Sequence, residues 1–536
     1  MNLPLLFGAG LCFIFWLYIK WLKIKRYWAD RGVPHLTPVP VLGNLTFIQR
    51  ENAGLWFRRM NQQLKSPYIG IWILWRPGIV INSSEIARDI LIKNFGNFRN
   101  RFLSSGETDP IGGLNLFTVN DPIWSTMRKH LSGVFTTSKL RILEDLMQTK
   151  AKELVQRIHN DRDIKIHLKN IQNEIQFLQT PSTLYSELAR LKMYIDYTTD
   201  IIGSSAFGVK SDATLTGVGP LRDVTNDFAT FTLYRGISWF SIFFFPEITN
   251  FFRFKLFPTA ATRYFKEIFN SVKRQRKTNQ GDAKDLLEIL IKIQQENEGY
   301  SDDLIIAQAA IFLQGGFETS GTALMFITYE LAYNPILQDK LYQELFEAAQ
   351  QNESENFDTN ILSNLTFLNC VIKGKIYLSN TTTGYQWPLV KIGSNSEGLR
   401  KYPTMGWLDR IATKDYKIDE KLTIESGTVV YINSIGMHYD PKYFPEPHRF
   451  DPDRFLPENK SKIEPYSYLP FGDGPRGCIG KRFAFMTMQF ALASVVHNYN
   501  IKPCPNMPNP ADIKMDKCGL LLLPGETLNV EFIPRK

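Results

Sequence analysis

Cysteine is scarce in this chain. Five lie along 536 residues, at Cys12, Cys370, Cys478, Cys504 and Cys518, and no two stand at C-x-x-C spacing. That excludes a disulfide framework and fits a reducing compartment. Blocks of like charge are missing too. The net charge of +9 is spread over the whole length, which argues against a nucleic-acid partner and suits an acidic protein or an anionic membrane surface. Internal repeats and low-complexity tracts are absent. With 44% hydrophobic and 21% charged residues, the chain can bury a large core, in two domains or one big one.

The N-terminus lacks charge. Residues 3–19, "LPLLFGAGLCFIFWLYI", are uncharged and long enough to cross a bilayer. Lys20, Lys23, Lys25, Arg26 and Arg31 follow, with Trp21, Tyr27 and Trp28 placed for the membrane interface. This predicts an anchor with its basic flank over 1–28 and a body on the cytosolic side. A cleaved signal peptide needs a basic stretch ahead of the apolar run and a small-residue cleavage site; the sequence has neither. On that topology the sequons at Asn44 and Asn82 stay unglycosylated. Residues 29–45, with Pro34, Pro38 and Pro40, predict a stiff hinge, and 46–536 form the body.

Residues 60–95 alternate in short β-type runs such as "YIGIWILW" and "GIVINSS", and from about 120 onward the pattern is mostly helical. "NPILQDKLYQELFEAAQ" (334–350) opens on Asn334-Pro335, a good helix start, and keeps apolar residues at Ile336, Leu337, Leu341 and Leu345. "GISWFSIFFFPEITNFFRFKLFP" (236–258) is too broken by proline and charge to span a membrane. It is either core or an exposed patch that dips into lipid.

In "FGDGPRGCIG" (471–480), Gly472, Gly474 and Gly477 have the spacing of a dinucleotide-binding fingerprint. That reading lacks its other parts. Pro475 has no amide to offer a phosphate, and near position 497 stands "VVHNYN", without an acid. A sulfur reading does better. The next stretch is a helix with Phe483, Phe485, Met486, Phe490 and Leu492 as its stripe, so Cys478 sits where a helix N-terminus favours a thiolate. The glycines let a tight loop turn amides toward the sulfur. One thiolate is too few ligands for zinc and suits the axial position of a haem. From the residues alone, a plain buried cysteine is an equally good account.

The loop resembles the Phe-x-x-Gly-x-Arg-x-Cys-x-Gly haem-binding motif of the cytochrome P-450 superfamily, with Phe471, Gly474, Arg476, Cys478 and Gly480 in place. Further features stand in family order: "WSTMR" with Trp124 and Arg128, "GGFETS" (315–320), "EGLR" with Glu397 and Arg400, and "FDPDRF" (450–455) with Arg454. The similarity runs from the anchor to the C-terminus. Phrasing such as "NPILQDKLYQEL" and "FDPDRFLPEN" is similar to insect microsomal, xenobiotic-metabolising members.

The resemblance implies the cytochrome P-450 fold, mainly α with a smaller β-rich part, behind a single N-terminal transmembrane helix. It implies a haem whose iron takes Cys478 as axial ligand, with Phe471, Gly472 and Gly480 around it. Arg476, Trp124, Arg128 and Arg410 would meet the propionates, which need cations when buried. Gly315 and Gly316 interrupt a good helix at a cost of about 1 kcal/mol each against alanine. The family reading is a kink where O2 lies, with Thr319 bonding the oxygen and Glu318 passing protons. Without the family, the same residues read as a helix contact with Thr319 bonding its own turn. Glu397, Arg400 and Arg454 read as a buried structural network.

The implied activity inserts one atom of O2 into lipophilic small molecules (xenobiotics, hormones or other endogenous lipids) at the cytosolic face of the endoplasmic reticulum. The chain carries no flavin or NADPH module, so electrons are expected from NADPH through a separate cytochrome P-450 reductase, with cytochrome b5 as a further partner. Substrate contacts are expected from 99–120, from the aromatic 228–257 region and from the central helix near Phe312 and Phe317. The alternative is an inactive or non-oxygenase haem-binding membrane protein, a sensor or sink or a P-450-type isomerase, above all if an insertion at 374–396 belongs to the natural protein. Thr319 and Glu318 argue against it, because their family role is oxygen activation.

One segment departs from the family. Between "LTFLNCVIK" and "EGLRKYP" lies "GKIYLSNTTTGYQWPLVKIGSNS", residues 374–396, without a family counterpart. Its Thr381, Thr382, Thr383, Gly384 and Pro388 break helices. Joined directly, the flanks would put Leu368, Ile372 and Leu399 four apart on one helical face. Gly374-Lys375 can be encoded with GTAAG inside, and Ser396 by a codon beginning AG. The segment therefore reads as a translated short retained intron, with an authentic surface insertion as the alternative. Residues 170–192 also look long for the family but carry no such signature.

Overall fold

The computed structural model describes residues 3–48, 50–174, 192–229, 232–278, 286–297, 299–352, 356–372 and 396–535. Of the two stretches foreign to the family, 374–395 and 175–191 lie outside these. The elements that matter for the site are, in chain order, α1 (Leu3–Arg26), β1 (Tyr68–Ile73), β2 (Arg76–Ile81), α2 (Ile123–Ser132), α3 (Met193–Phe207), α4 (Leu233–Phe244), α5 (Asp302–Tyr333), α6 (Thr366–Ile372), α7 (Glu397–Lys401), β3 (Leu408–Ile411), β4 (Val429–Ile432) and α8 (Lys481–Asn498).

Helix α5 runs through the middle of the body. Ser301 caps it, its hydroxyl accepting from the Leu304 amide at 3.2 Å, and Asp302 and Asp303 complement the dipole of its first turn. From Leu304 to Ala332 it is apolar on nearly every side, the signature of a helix buried all round. It ends at Asn334, ahead of Pro335. Helix α3 lies against it at close range. A Cβ at Gly316 would run into Ile202 of α3, and the Thr198 hydroxyl donates to the Phe317 carbonyl at 2.7 Å.

The small sheet has the order β1-β2-β4-β3. β1 and β2 form an antiparallel hairpin, β4 joins β2 in parallel, and β3 closes the edge antiparallel to β4. All six residues of β1 and all four of β4 are buried. The proline-rich arm is no free linker: His35 bridges Gly70, and Gly43 bridges Ile73. Trp28 is not an interface residue either. It is 1% exposed, its ring covers Gly70, and its indole N–H donates to the Ile71 carbonyl at 3.0 Å. Asn44 and Asn82 are buried and hydrogen-bonded, which leaves no room for a glycan at either.

Among the described residues, no helix is long and apolar enough to cross a membrane. The expected transmembrane run falls largely on α1 residues whose side chains lie outside the description. The aromatic stretch 236–258 divides between its two readings. Phe240, Phe243 and Phe244 enter the core, whereas Phe251 is 83% exposed with Phe252 beside it in the open.

Candidate active site

A cavity of about 330 Å³ lies between α5 and the 471–480 loop. Cys478 opens into it from the loop, and Gly315, Gly316, Glu318 and Thr319 line it from α5. The loop is held by its own amides: Cys478 N–H donates to the Phe471 carbonyl and Gly477 N–H to the Gly474 carbonyl, both at 2.9 Å. Gly474 has a φ of +72° and lies directly on the Leu91 carbonyl, so a side chain there would be both strained and obstructed. Gly480 is the N-cap of α8, two residues past the cysteine. The helix stripe read from the sequence is buried as a unit.

Walled in apart from the cavity, the Cys478 thiol is pushed up by burial. The Gly480 amide and the Arg128 and Lys481 cations pull the other way without prevailing. A further cation at the sulfur would ionise it, as a coordinated metal centre does.

Arginines form one wall. Arg128 donates to the Gly477 carbonyl at 2.9 Å. Arg476 lies 4.2 Å over the Trp124 ring and donates to the carbonyls of Arg99 and Val119 at 2.6 and 3.1 Å. Arg410 is buried behind it, spending one nitrogen on the Asp409 carbonyl at 2.7 Å. Burial, then repulsion by Arg101 and Arg410, pulls Arg476 down to about 8. Arg410 is pulled to about 9, by burial and then by Arg101. Each guanidinium keeps a buried N–H without a partner: Arg476 Nη1, Arg410 Nε and Arg101 Nε. Asp409, 3.3 Å from Arg101, and Asp121 oppose this crowding at Arg476. Three crowded cations with donors unspent fit a group that brings two carboxylates, as haem does with its propionates.

Arg101 was not singled out by any motif. It is buried, lines the cavity and draws Arg410 and Arg476 into one field, although 309 and 375 positions of sequence separate it from them. No local signal marks it.

On α5, Gly315 and Gly316 do different things. Nothing lies within 4 Å of a Cβ built at Gly315, while Gly316 meets Ile202. Both glycines line the cavity, and Gly316 also seats α3. The Thr319 hydroxyl donates to the Gly315 carbonyl at 2.6 Å. Glu318 is buried with Oε2 unpartnered, and its carboxyl is pushed up to about 7 by desolvation, with Arg235 opposing and Asp516 adding to the shift. At neutral pH it both holds and releases a proton. Of the expected substrate contacts, Leu116, Phe117, Trp239, Phe243, Leu256 and Phe312 line the cavity. Phe317 is buried against Phe228, ring centroids 6.0 Å apart.

Glu397 and Arg400 make a bidentate pair at 2.7 and 2.8 Å, both fully buried, with Arg454 3.5 Å from the carboxylate. Arg400 also donates to the His438 carbonyl at 2.8 Å. His438 accepts from the Leu469 amide at Nε2 (2.9 Å), so Nδ1 carries the proton and donates to the Arg400 carbonyl at 3.0 Å. Burial, helped by the Arg400 charge, holds the imidazole neutral, down to about 3. Leu469 leads into Pro470 and the cysteine loop, so the pair is tied to the loop through one histidine.

A mainly helical fold that gathers such a thiol and such arginines about one cavity fits a haem-thiolate protein. Within that class the chain belongs to the cytochrome P450 family, whose model matches residues 33–374 and 395–531. It is a cytochrome P450 monooxygenase, an oxidoreductase with haem iron as cofactor and O2 as co-substrate. The relatives it matches include insect proteins. The chain is 29% identical over 521 residues to cytochrome P450 6k1 of Blattella germanica, covering 92% of this chain and 91% of that one. It is 30% identical over 517 residues to probable cytochrome P450 6g2 of Drosophila melanogaster, covering 90% of each. Over 518 residues it is 30% identical to cytochrome P450 9e2 of Blattella germanica, covering 92% and 91%.

Proposed function

We propose that the protein oxygenates lipophilic small molecules at the cytosolic face of the endoplasmic reticulum, with electrons from NADPH through a separate reductase. The observation that carries the reading is one cavity, mostly apolar, lined by Cys478 on one side and by Glu318 and Thr319 on another. Cys478 would ligate the iron, with Phe471, Gly472 and Gly480 shaping the loop. Arg101, Arg128, Arg410 and Arg476, with Trp124 beneath Arg476, would hold the propionates. Haem, when bound, supplies the reductive activation of O2 that puts one oxygen atom into substrate and the other into water.

The chain's own part is protons, orientation and exclusion of water. Glu318 stores a proton at neutral pH because burial costs its charged form. Thr319, the next residue, presents a hydroxyl that can leave the Gly315 carbonyl and relay that proton at the cavity wall. Thr319→Ala is therefore expected to keep NADPH oxidation going while product per NADPH falls several-fold and hydrogen peroxide rises. Equal product yield in variant and parent would leave Thr319 a helix residue only. A sensor, sink or isomerase would show no substrate-dependent NADPH oxidation with reductase, whatever stands at 319.

The net charge of +9 suits an acidic flavoprotein donor, with cytochrome b5 as a further partner. For the membrane, α1 spans 24 residues, about 36 Å at 1.5 Å per residue, and carries no charge from 3 to 19. Exposed apolar tips support a second contact. Val41 and Leu42 adjoin Gly43, which bridges Ile73 beside exposed Trp75. Arg76 pairs with Glu247, near exposed Phe251 and Phe252. Because Trp28 is core, the informative truncation stops short of it. Removing residues 1–22 is expected to release most of the protein from stripped membranes while a minority stays bound through these tips. Complete release at low salt would assign the tips to solvent.

A further inference from the structure

We propose that Gln314 anchors a polar oxygen of the substrate, so that this cavity selects oxygenated lipophiles, ketones and alcohols, over plain hydrocarbons. The inference rests on the cavity being the substrate site of a monooxygenase. It starts from a contrast within α5. Gln308 is fully buried and wholly employed: its Oε1 accepts from the Leu116 amide at 2.9 Å, and its Nε2 donates to the Leu114 and Leu304 carbonyls at 2.8 and 2.9 Å. Gln314, six residues on, lines the cavity and makes no side-chain hydrogen bond to any described residue. A carboxamide carries two donors and an acceptor. In an apolar cavity these are a liability unless a ligand or water meets them.

The deficit is shared by neighbours. Glu318 and Ser320 also line the cavity, and their Oε2 and Oγ atoms are buried without a partner, the residues being 7% and 3% exposed. Gln314 and Glu318 stand four apart, one above the other on one face of α5. Together they make a short polar strip among apolar lining residues that include Leu116, Phe243, Leu256, Phe312 and Ala323. Water can fill the strip while the cavity is empty. A hydrocarbon that displaces it leaves the amide unpaired, whereas a carbonyl or hydroxyl oxygen restores the bond to Nε2. Sites of this kind discriminate mainly by rejecting the ligand that lacks the polar group.

The test uses the haem-loaded protein and matched pairs of one carbon skeleton, hydrocarbon and ketone, from p-menthane with menthone up to fifteen-carbon terpenes. Free ligand is measured by headspace chromatography, which reads binding without reference to turnover or to the haem spectrum. The parent is expected to prefer the ketone on the order of tenfold or more. Gln314→Leu should erase that preference by weakening the ketone and leaving the hydrocarbon unchanged or tighter. Gln314→Met, which keeps side-chain length and helix preference, serves if the leucine variant folds poorly. A panel without one ketone-preferring pair overturns the assignment, as does a preference that survives both variants. Preference without NADPH-dependent product would sink the monooxygenase reading and spare the anchor; product without preference would do the reverse.

Discussion

Replacing Cys478 with serine is expected to abolish the long-wavelength Soret band of the reduced carbon-monoxide adduct while leaving the fold intact. The substitution is nearly isosteric, and the loop does not depend on the sulfur. It is pinned by the Cys478 amide on the Phe471 carbonyl and by the Gly477 amide on the Gly474 carbonyl, both of which serine retains. What changes is the ligand. A thiol pushed up by burial still ionises once a cation sits on it; an alcohol in the same cradle ionises far less readily and gives a weak axial bond. Turnover should fall by more than the roughly 10–100-fold typical of losing an outer-shell partner, and far-ultraviolet circular dichroism should not change. A serine variant that keeps the band would overturn the ligand assignment and return Cys478 to an ordinary cavity thiol.

The cysteine loop and its helix were legible because both are local. Glycines at fixed offsets around one cysteine, then a stripe of apolar residues at helical spacing, specify a tight turn and a buried helix without reference to anything distant. Glu397 and Arg400, three residues apart, were legible for the same reason. Arg101 was not, because its meaning lies in meeting Arg410 and Arg476 after the chain has folded. Trp28 misled through composition: an aromatic behind lysines looks like an interface residue, and only Gly70, lacking a side chain, reveals the socket that takes it. The glycine pair of α5 was half readable. Two glycines in a good helix announce a close approach, but not that only Gly316 meets α3 while both line the cavity. The sequence also passes over Gln314, since one amide in an apolar helix looks the same whether its bonds are spent, as in Gln308, or free.

Excising residues 374–396 is expected to give a protein that folds, holds haem longer and unfolds at a higher temperature than the uncut chain. We propose the excised chain as the functional form. The family match stops at 374 and resumes at 395, and the two ends meet in space. The Ser396 hydroxyl donates to the Val371 carbonyl at 2.8 Å, and a Cβ built at Gly398 would stand 3.3 Å from that same oxygen. Joining Lys373 to Glu397 makes Gly398 the fourth residue after Val371, so its amide can take over the Ser396 bond as an ordinary helical one. Two helices of seven and five residues, each short enough to carry a heavy nucleation cost, would become one. Leu368, Ile372 and Leu399, all buried, would keep their places on one face, and Glu397 would keep its grip on Arg400. Removing an insert of this length also lifts a chain-closure cost on the order of 2–3 kcal/mol, enough to raise the unfolding midpoint by a few degrees. Haem transfer to apomyoglobin and thermal unfolding of the two proteins side by side read both effects. An excised chain that loses haem faster, or fails to fold, would make the segment an authentic part of the protein, and mature transcripts that keep its codons would rule out the intron origin.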